Sequence, residues 1–259
     1  MSIHPTAIIG PKARIAEDVD IGPYAIIEDD VSIARGVTIG AHVWVCSGTE
    51  IGEGTKVHMG AILGHEPQDR AFEGKPSFLK IGKDNLIREY ATIHRGTKEN
   101  SSTLIGDKNF IMALSHIAHN CTIGNNVVIT NGVLLAGYVT VEDGAFISGN
   151  SVVHQFVKIG KLVMIAGLSR VAKDVPPFML LKNDSLIYSM NIVGMRRAGL
   201  SEEAKLEIKN AYKILYRINL NVSQAVEKME KELKPLEEIK YLIEFIKNSE
   251  RGICSHVEV

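Results

Sequence analysis

Aliphatic residues recur every six positions along most of this chain. In the frame that starts at Ile3 and ends at Val171, each sixth residue is Ile, Val or Leu except at Asp69, Lys75 and Glu99. A period of six fits neither the 3.6-residue repeat of a helix nor the two-residue alternation of an ordinary strand. It indicates a solenoid of short strands stacked coil on coil, with the aliphatic residues facing inward.

The three exceptions predict two loops. The first, near 64–80, is polar and rich in Gly and Pro, and the second lies near 95–103. A solenoid expels irregular segments to its surface, and the first segment is long enough to fold over a neighbouring one.

The six-residue pattern stops after Val171, and Pro176 and Pro177 follow. We therefore predict a β-solenoid over 1–180 and a helical domain over 181–259. The helices are predicted to begin after a cap at Ser201, to run from Ser223 to Leu233, and to resume beyond residue 235. A helical unit of this size is expected to pack on the solenoid or on another subunit.

Composition narrows the classes of function. The 259 residues carry a formal net charge of -1 with a pI near 6.8, which favours neither nucleic acid nor an acidic membrane as partner. Three widely spaced cysteines fit a reducing compartment. The sequence predicts no signal peptide and no membrane span, so we expect a cytoplasmic protein.

The repeat resembles the hexapeptide-repeat family of left-handed parallel β-helices, over residues 3 to about 180. The resemblance implies a mainly β fold in which three hexapeptides form one 18-residue coil, followed here by the small helical domain. The left hand is an exception to the usual rule for parallel crossovers.

An 18-residue coil stacks His119 below Gly137 and Gly137 below Gln155, about 4.8 Å apart. His116 and His154 lie beside this row. A neutral imidazole can accept a proton from an attacking group, and a glycine N–H can approach a developing oxyanion. The sequence therefore predicts acid-base chemistry here. The other six histidines are interpreted as ordinary surface residues: His4, His42, His58, His65, His94 and His256.

Several short segments carry a closer resemblance, to the UDP-N-acetylglucosamine acyltransferases. These enzymes move a 3-hydroxyacyl chain from acyl carrier protein to the sugar 3-position, the first step of lipid A synthesis. The segments are His116-Ile117-Ala118-His119, Leu135-Ala136-Gly137, Val153-His154-Gln155-Phe156, Asp174-Val175-Pro176-Pro177, Arg95-Gly96-Thr97, Gly194-Met195-Arg196-Arg197 and Arg251-Gly252.

This resemblance implies a role for each matching residue. His119 would be the general base, oriented by Asn120, and the Gly137 N–H the oxyanion donor. The residues expected to bind substrate are His116 and His154, which would position it, Gln68 and Asp69 at the sugar, and Gln155, Asn191 and Arg197, with Arg196 beside it, at the nucleotide. Gly167 would leave the acyl groove open for a long chain. The resemblance also implies a homotrimer, with no metal and no cofactor.

Four residues depart from the family pattern. Where the family usually has Asp, His, Lys and Glu, this chain has Asn120, Tyr138, Ala71 and Val193, respectively. Asn120 can orient an imidazole but cannot offset its charge when protonated. An amine demands less of a base than a hydroxyl does, so one hypothesis is that the acceptor is the 3-amino analogue of the nucleotide sugar.

Cationic residues are concentrated between Lys158 and Arg197. They are Lys158, Lys161, Arg170, Lys173, Lys182, Arg196 and Arg197, against only Asp174 and Asp184. The sequence predicts a patch that steers acidic acyl carrier protein and weakens with salt.

The sequence is also compatible with three other hypotheses of function. The second-step N-acyltransferase of lipid A synthesis normally carries an amino-terminal uridine-binding domain, whereas this repeat begins at Ile3. A carbonic-anhydrase-like zinc enzyme would need a different histidine spacing. A purely structural solenoid would leave the histidine cluster and the Gln68-Asp69 loop unexplained.

Overall fold

The computed structural model describes residues 2–256, and most of them form a triangular prism of parallel strands. Each coil contributes one short strand to each of three sheets. Ile111 pairs with Ile129, and Ile129 pairs with Ile147, so equivalent positions are 18 residues apart. This confirms the predicted class, a left-handed parallel β-helix followed by a small helical domain.

The strands of the first coils are β1 (Ser2–Ile3), β2 (Ile8–Ile9), β3 (Arg14–Ile15), β4 (Asp20–Ile21), β5 (Ile26–Ile27), β6 (Ser32–Ile33), β7 (Thr38–Ile39), β8 (Trp44–Val45), β9 (Thr49–Ile51), β10 (Lys56–Val57), β11 (Ile62–His65), β12 (Phe78–Ile81), β13 (Leu86–Ile87) and β14 (Thr92–His94). Those of the later coils are β15 (Ser102–Ile105), β16 (Phe110–Ile111), β17 (His116–Ile117), β18 (Thr122–Ile123), β19 (Val128–Ile129), β20 (Leu134–Leu135), β21 (Thr140–Val141), β22 (Phe146–Ile147), β23 (Val152–Val153), β24 (Lys158–Ile159), β25 (Met164–Ile165) and β26 (Arg170–Val171).

We name the three sides of the prism by their sheets. Face A contains β1, β4 and every third strand through β25; face B contains β2 through β26; and face C contains β3 through β24. We call the turn between two faces an edge and name it by those faces. In one coil, edge AB comprises 148–151, edge BC comprises 154–157 and edge CA comprises 160–163. These edges determine which predicted site residues can meet.

The aliphatic repeat forms one continuous core inside the prism. Ile111, Ile117 and Ile123, from the three faces of one coil, are at most 2 % exposed. The two-residue strands point one side chain inward and the next outward, which is why a single aliphatic residue per hexapeptide is enough.

Both breaks in the repeat are loops. β11 ends at His65 and β12 begins at Phe78, so Lys56 pairs with Leu86, 30 positions ahead. The second loop, between β14 and β15, covers 95–101. Both leave the solenoid at edge BC, between faces B and C.

Face A continues past residue 180. β27 (Met179–Lys182) pairs parallel with β25, β28 (Leu186–Met190) returns antiparallel, and β29 (Ser255–His256) adds to it near the end of the described chain. The sequence patterns did not predict this extension.

In the part of the chain that the structure describes, four helices follow β28: α1 (Ile192–Arg197), α2 (Glu202–Tyr216), α3 (Val222–Glu232) and α4 (Glu237–Lys247). The Ser201 side chain caps α2 by accepting from the Ala204 N–H, as predicted. The short α1 was not predicted. No helix within residues 2–256 has the length and apolar character needed to cross a membrane.

The helices share a second core with the last coil. Leu162 and Phe178 of the solenoid pack with Met195, Ile208 and Leu242 of the helices, as do further helical residues. The helical part is therefore held against the solenoid, as its small size predicts.

Candidate active site

His119 and Gly137 lie one above the other on edge BC, as the 18-residue spacing predicts. The Tyr138 N–H donates to the His119 carbonyl over 3.0 Å, and the Phe156 N–H donates to the Gly137 carbonyl over 3.1 Å. A Cβ placed on Gly137 would lie 2.5 Å from His119 Nε2. The imidazole therefore occupies the space that a side chain at 137 would fill.

The orientation of the His119 ring follows from its contact with Asn120. Asn120 Oδ1 accepts from the Thr97 N–H over 2.9 Å, so this atom is the amide oxygen, and it lies 3.0 Å from His119 Nδ1. An oxygen acceptor requires the proton on Nδ1. His119 Nε2 then carries the lone pair, which is the form that a general base needs.

The first loop folds over His119 and places a carboxylate against it. Asp69 Oδ2 lies 3.4 Å from His119 Nε2, and their side chains are 27 % and 8 % exposed. The sequence resemblance predicted a sugar contact for Asp69 but not this pairing. Gln68 beside it is exposed.

Arg95, from the second loop, holds the first loop in place. Its N–H donates to the His65 carbonyl, its guanidinium lies 3.6 Å from a Glu66 oxygen, and it also lies over the Phe72 ring. Asp69 lies between Glu66 and Phe72 in the sequence. The two loops together therefore determine where the Asp69 carboxylate meets His119.

His116 is near His119, on the outer surface of β17. Its Nδ1 lies 2.7 Å from Thr92 Oγ1, and burial together with the His119 charge lowers its pKa. A further histidine, His94, packs edge-on against it with 4.7 Å between ring centroids.

The interpretation of His94 as an ordinary surface residue is wrong. It is 5 % exposed, and its burial, reinforced by His116, His65 and His119, lowers its pKa from 6.5 to about 4. Its ring lies between those of His65 and His116, where β11 and β14 shift register, and so it is covered by side chains on the outside of face B. A six-residue repeat cannot reveal such an irregularity.

The aromatic ring of Tyr138 packs beside His119. Its ring is perpendicular to the His119 ring at a centroid distance of 5.3 Å and is stacked on Phe156 at 5.1 Å. The residue that departs from the family pattern at 138 therefore contacts the predicted base directly.

The other predicted site residues lie on different edges of this chain. Gln155 follows Gly137 on edge BC, with His154 beside it. Gly167 lies on edge AB, where an added Cβ would come no closer than 3.4 Å to its nearest neighbour, the Gly149 carbonyl oxygen. Asn191 and Arg197 line a cleft of about 800 Å³ beside edge CA, together with Val193.

Asn191 has a local structural role. Its side-chain oxygen caps α1 by accepting from the Gly194 N–H, and its NH₂ group donates to the Leu162 carbonyl over 2.8 Å. This fixes α1, and with it Arg196 and Arg197 in the last turn, against edge CA. Both arginines are exposed.

The predicted cationic patch is not one surface within a single chain. Lys158 lies on face C, Arg170 on face B and Lys182 on face A. Arg170 is paired with Asp184 at 3.2 Å, and Lys182 lies over the Tyr188 ring. These residues are close in the sequence, but successive strands of a coil belong to different faces and point in different directions.

The arrangement of possible metal ligands does not support the hypothesis of a carbonic-anhydrase-like zinc enzyme. Across residues 2–256, no group of three or more His, Cys, Asp or Glu side chains is arranged to hold a metal ion.

Two family profiles match this chain. Residues 174–254 match the profile described as Udp N-acetylglucosamine O-acyltransferase, Domain 2, and residues 102–137 match the bacterial transferase hexapeptide profile. The second match lies on the coils that carry His119 and Gly137.

Curated proteins named acyl-[acyl-carrier-protein]--UDP-N-acetylglucosamine O-acyltransferase are similar to this chain. The protein from Thermodesulfovibrio yellowstonii is 48 % identical over 254 residues, 97 % of this chain and 98 % of that one. The Synechocystis sp. and Gloeothece citriformis proteins are each 47 % identical, and the match covers 68 % of this chain but only 64 % of theirs.

Solved structures agree over nearly the whole length. The UDP-N-acetylglucosamine acyltransferase from Bacteroides fragilis has a TM-score of 0.93 at 41 % identity, covering 97 % of this chain and 99 % of that one. The Acinetobacter baumannii structure has the same TM-score and coverage at 39 % identity.

Proposed function

Because the chain belongs to the UDP-N-acetylglucosamine O-acyltransferase family, we propose that it transfers a 3-hydroxyacyl chain from acyl carrier protein to the 3-position of UDP-N-acetylglucosamine. This is the first step of lipid A synthesis. The observation that carries the proposal is the stacking of the His119 imidazole on Gly137, with its Nε2 facing the Asp69 loop. The three cysteines are free and buried, which supports a reducing compartment, and we place the reaction in the cytoplasm.

His119 acts as general base in this proposal. Its Nε2 lone pair accepts the proton of the sugar 3-hydroxyl as the oxygen attacks the thioester carbonyl carbon. A C–O bond forms, the carbonyl electrons move to oxygen, and the tetrahedral intermediate then expels the carrier thiolate. The imidazolium returns its proton to that sulfur, so the enzyme ends unchanged.

The Gly137 N–H stabilises the intermediate. Among the described residues it donates no hydrogen bond, while the Ala136 and Tyr138 N–H groups on either side are both used by the solenoid. An unpaired N–H beside the base suits an oxyanion, and no side chain at 137 obstructs the carbonyl.

Asp69 supplies the charge that Asn120 lacks. When His119 is protonated, Nε2 carries a proton and the Asp69 carboxylate, 3.4 Å away, forms an ion pair with it. In this chain, Asn120 sets the tautomer and Asp69 offsets the positive charge. The Asn120 departure therefore does not argue against activity.

The 3-amino analogue of the nucleotide sugar is the alternative acceptor. It is motivated by Asn120 and Tyr138, two uncharged groups in contact with His119. An amine is the better nucleophile and needs less help from a base. Initial rates with the two nucleotide sugars at equal concentration decide between them, and a clear preference for the 3-hydroxyl compound removes the alternative.

We also propose a homotrimer with shared sites. His119 lies on edge BC and Arg197 beside edge CA, so one chain does not bring them together. The outer residues of faces A and B support the assembly because many are apolar, whereas face C is polar apart from Phe78 and Leu104. The apolar ones are Leu86, Phe110, Val128, Phe146 and Met164 on A, and Ile8, Ile26, Trp44, Ile62, Leu134 and Val152 on B.

Packing face A of one copy on face B of the next closes a ring around edge AB. Edge BC of each copy then lies beside edge CA of its neighbour. His119 would meet the cleft lined by Asn191 and Arg197 of another copy, which is where we place the nucleotide. Light scattering that gives the mass of one chain would refute this arrangement.

The experiment that tests the function is a transfer assay. Purified protein is given 3-hydroxyacyl carrier proteins of graded chain length and UDP-N-acetylglucosamine, and the acylated nucleotide sugar is identified by mass spectrometry. We expect product, with longer chains favoured because Gly167 leaves its surroundings open. Absence of product with every chain length and both nucleotide sugars would overturn the proposal.

A further inference from the structure

The end of the described chain returns to edge BC. The Asp174 N–H donates to the Gly252 carbonyl over 3.1 Å, the Cys254 N–H donates to the Asp174 carbonyl over 2.8 Å, and the Ser249 hydroxyl donates to Asp174 Oδ2 over 2.7 Å. Gly252 adopts φ +72°, a left-handed conformation that favours glycine. These bonds lie on both sides of Arg251 and hold the backbone at this position against edge BC.

The Arg251 guanidinium reaches His154. Its Nη2 and Nε donate to the Ala172 carbonyl over 3.1 and 3.3 Å, and Nη2 lies 3.3 Å from His154 Nδ1. Arg251 makes none of the ion pairs found within residues 2–256. A half-buried cation therefore lies beside an exposed imidazole, and no carboxylate within the described residues 2–256 forms an ion pair with it.

The contact with Arg251 determines the His154 tautomer. A guanidinium only donates hydrogen bonds, so Nδ1 must offer its lone pair and the ring proton must be on Nε2. The Gln155 carbonyl oxygen, 3.2 Å from Nδ1, is then a neighbouring acceptor and not a hydrogen-bond partner. His154 consequently presents an N–H donor next to the guanidinium.

Two donors and one positive charge are the chemistry of a phosphate site. His154 occupies the position two coils above Ala118, so it lies about 10 Å along edge BC from the coil of His119. In a nucleotide sugar whose 3-position is at His119, the pyrophosphate is attached at C1, two ring carbons from C3, and its phosphates extend to a comparable distance from the imidazole. The phosphate of a phosphopantetheine arm is much farther from its thioester.

We propose that Arg251, with the His154 Nε2–H, binds the pyrophosphate of the acceptor nucleotide. The inference rests on the proposed function, because placing the sugar 3-hydroxyl at His119 determines how far the pyrophosphate lies from that residue. It assigns Arg251 a role in acceptor binding and none in the docking of acyl carrier protein.

The test compares equilibrium binding of UDP and uridine to the full-length protein. Wild type should bind UDP more tightly than uridine. Arg251→Ala should lose about tenfold or more in UDP affinity, because charge-assisted hydrogen bonds are lost, with uridine affinity unchanged. Arg251→Lys, which keeps the charge but not the paired donors, should lose less. Arg217→Ala is the matched control, since Arg217 also contacts a neutral partner, Tyr212, in the C-terminal part of the chain.

Transfer kinetics provide the second measurement. Arg251→Ala should raise KM for UDP-N-acetylglucosamine by a similar factor and leave KM for acyl carrier protein unchanged. An unaltered preference for UDP over uridine, an equal loss of both affinities, or a rise in KM for the carrier alone would overturn the inference. Because binding needs no transfer, an Arg251-dependent UDP site in a protein without transferase activity would overturn the proposed function and leave the site standing.

Discussion

The His119 ring and the Gly137 backbone share one space on edge BC, so that a Cβ on Gly137 would lie 2.5 Å from His119 Nε2. Gly137 is not among the residues with positive φ, which means that its backbone conformation does not require glycine. The requirement comes from the imidazole stacked below it. The proposed base and the proposed oxyanion donor are therefore linked by packing as well as by chemistry.

Substitution of Gly137 should displace the base without unfolding the solenoid. We expect Gly137→Ala to lower kcat about 100-fold, because a shift of the imidazole by a fraction of an ångström to an ångström disrupts proton transfer. Gly149→Ala is the matched control, since Gly149 also has no positive φ and its nearest neighbour would be 3.3 Å away. Equal rates for the two variants in a transfer assay would contradict the stacking argument.

The Asp69 carboxylate should matter for turnover. Asp69→Asn keeps the shape of the side chain but removes the charge opposite the protonated base, and a partly buried ion pair of this kind is worth about 1 kcal/mol. We expect kcat to fall about fivefold to tenfold. Glu73→Gln in the same loop, whose carboxylate pairs with exposed Lys75, should leave kcat unchanged. A KM effect with intact kcat would mean that Asp69 only binds the sugar.

The buried His94 should make stability depend on pH. The unfolded side chain takes up a proton near pH 6.5 but the folded one only near pH 4, so the unfolded state binds more protons in between. His94 therefore costs no stability above pH 6.5, and its contribution to the free energy of unfolding falls by about 3 kcal/mol as pH drops to 4.

Urea unfolding at several pH values between 4.5 and 7.5 measures this effect. His94→Asn should give a flatter dependence than wild type, whereas His4→Asn, at an exposed position, should follow the wild-type curve. Parallel curves for wild type and His94→Asn would show that protonation of His94 does not oppose folding.

Shared sites in a trimer predict complementation between inactive variants. In the proposed trimer, His119→Ala and Arg197→Ala would each remove one side of every site, but co-expressed chains would form mixed trimers in which roughly a quarter of the sites have both residues intact. Activity should therefore reappear on co-expression. If the mixture is no more active than either variant alone, His119 and Arg197 do not act together across the interface.

The solenoid could be predicted from the sequence because every hexapeptide repeats the same pattern, one inward-facing aliphatic residue in six. Spacing of 18 residues was enough to place His119 below Gly137, since both lie in unbroken coils. Asp69 and Arg95 could not be placed in this way because each belongs to a loop that leaves the repeat. The burial of His94 depends on its packing between His65 and His116 beside a register shift, and the Arg251–His154 contact joins residues 97 positions apart.

The separation of the site residues among three edges was also beyond sequence analysis. Asn191 and Arg197 were grouped with Gln155 by resemblance alone, yet the fold sets them beside edge CA. Local sequence patterns specify the structure of one coil. Whether edge BC meets edge CA depends on how copies of the chain pack against each other.

The most direct test of the account is the initial rate of acyl transfer by wild type and by His119→Ala, at saturating acyl carrier protein and UDP-N-acetylglucosamine. Loss of a general base lowers the reaction rate about 10²- to 10⁴-fold, and we expect a decrease of kcat in that range. The variant should keep its thermal stability and its affinity for UDP. A correctly folded His119→Ala protein that transfers acyl chains at the wild-type rate would contradict the assignment of the base.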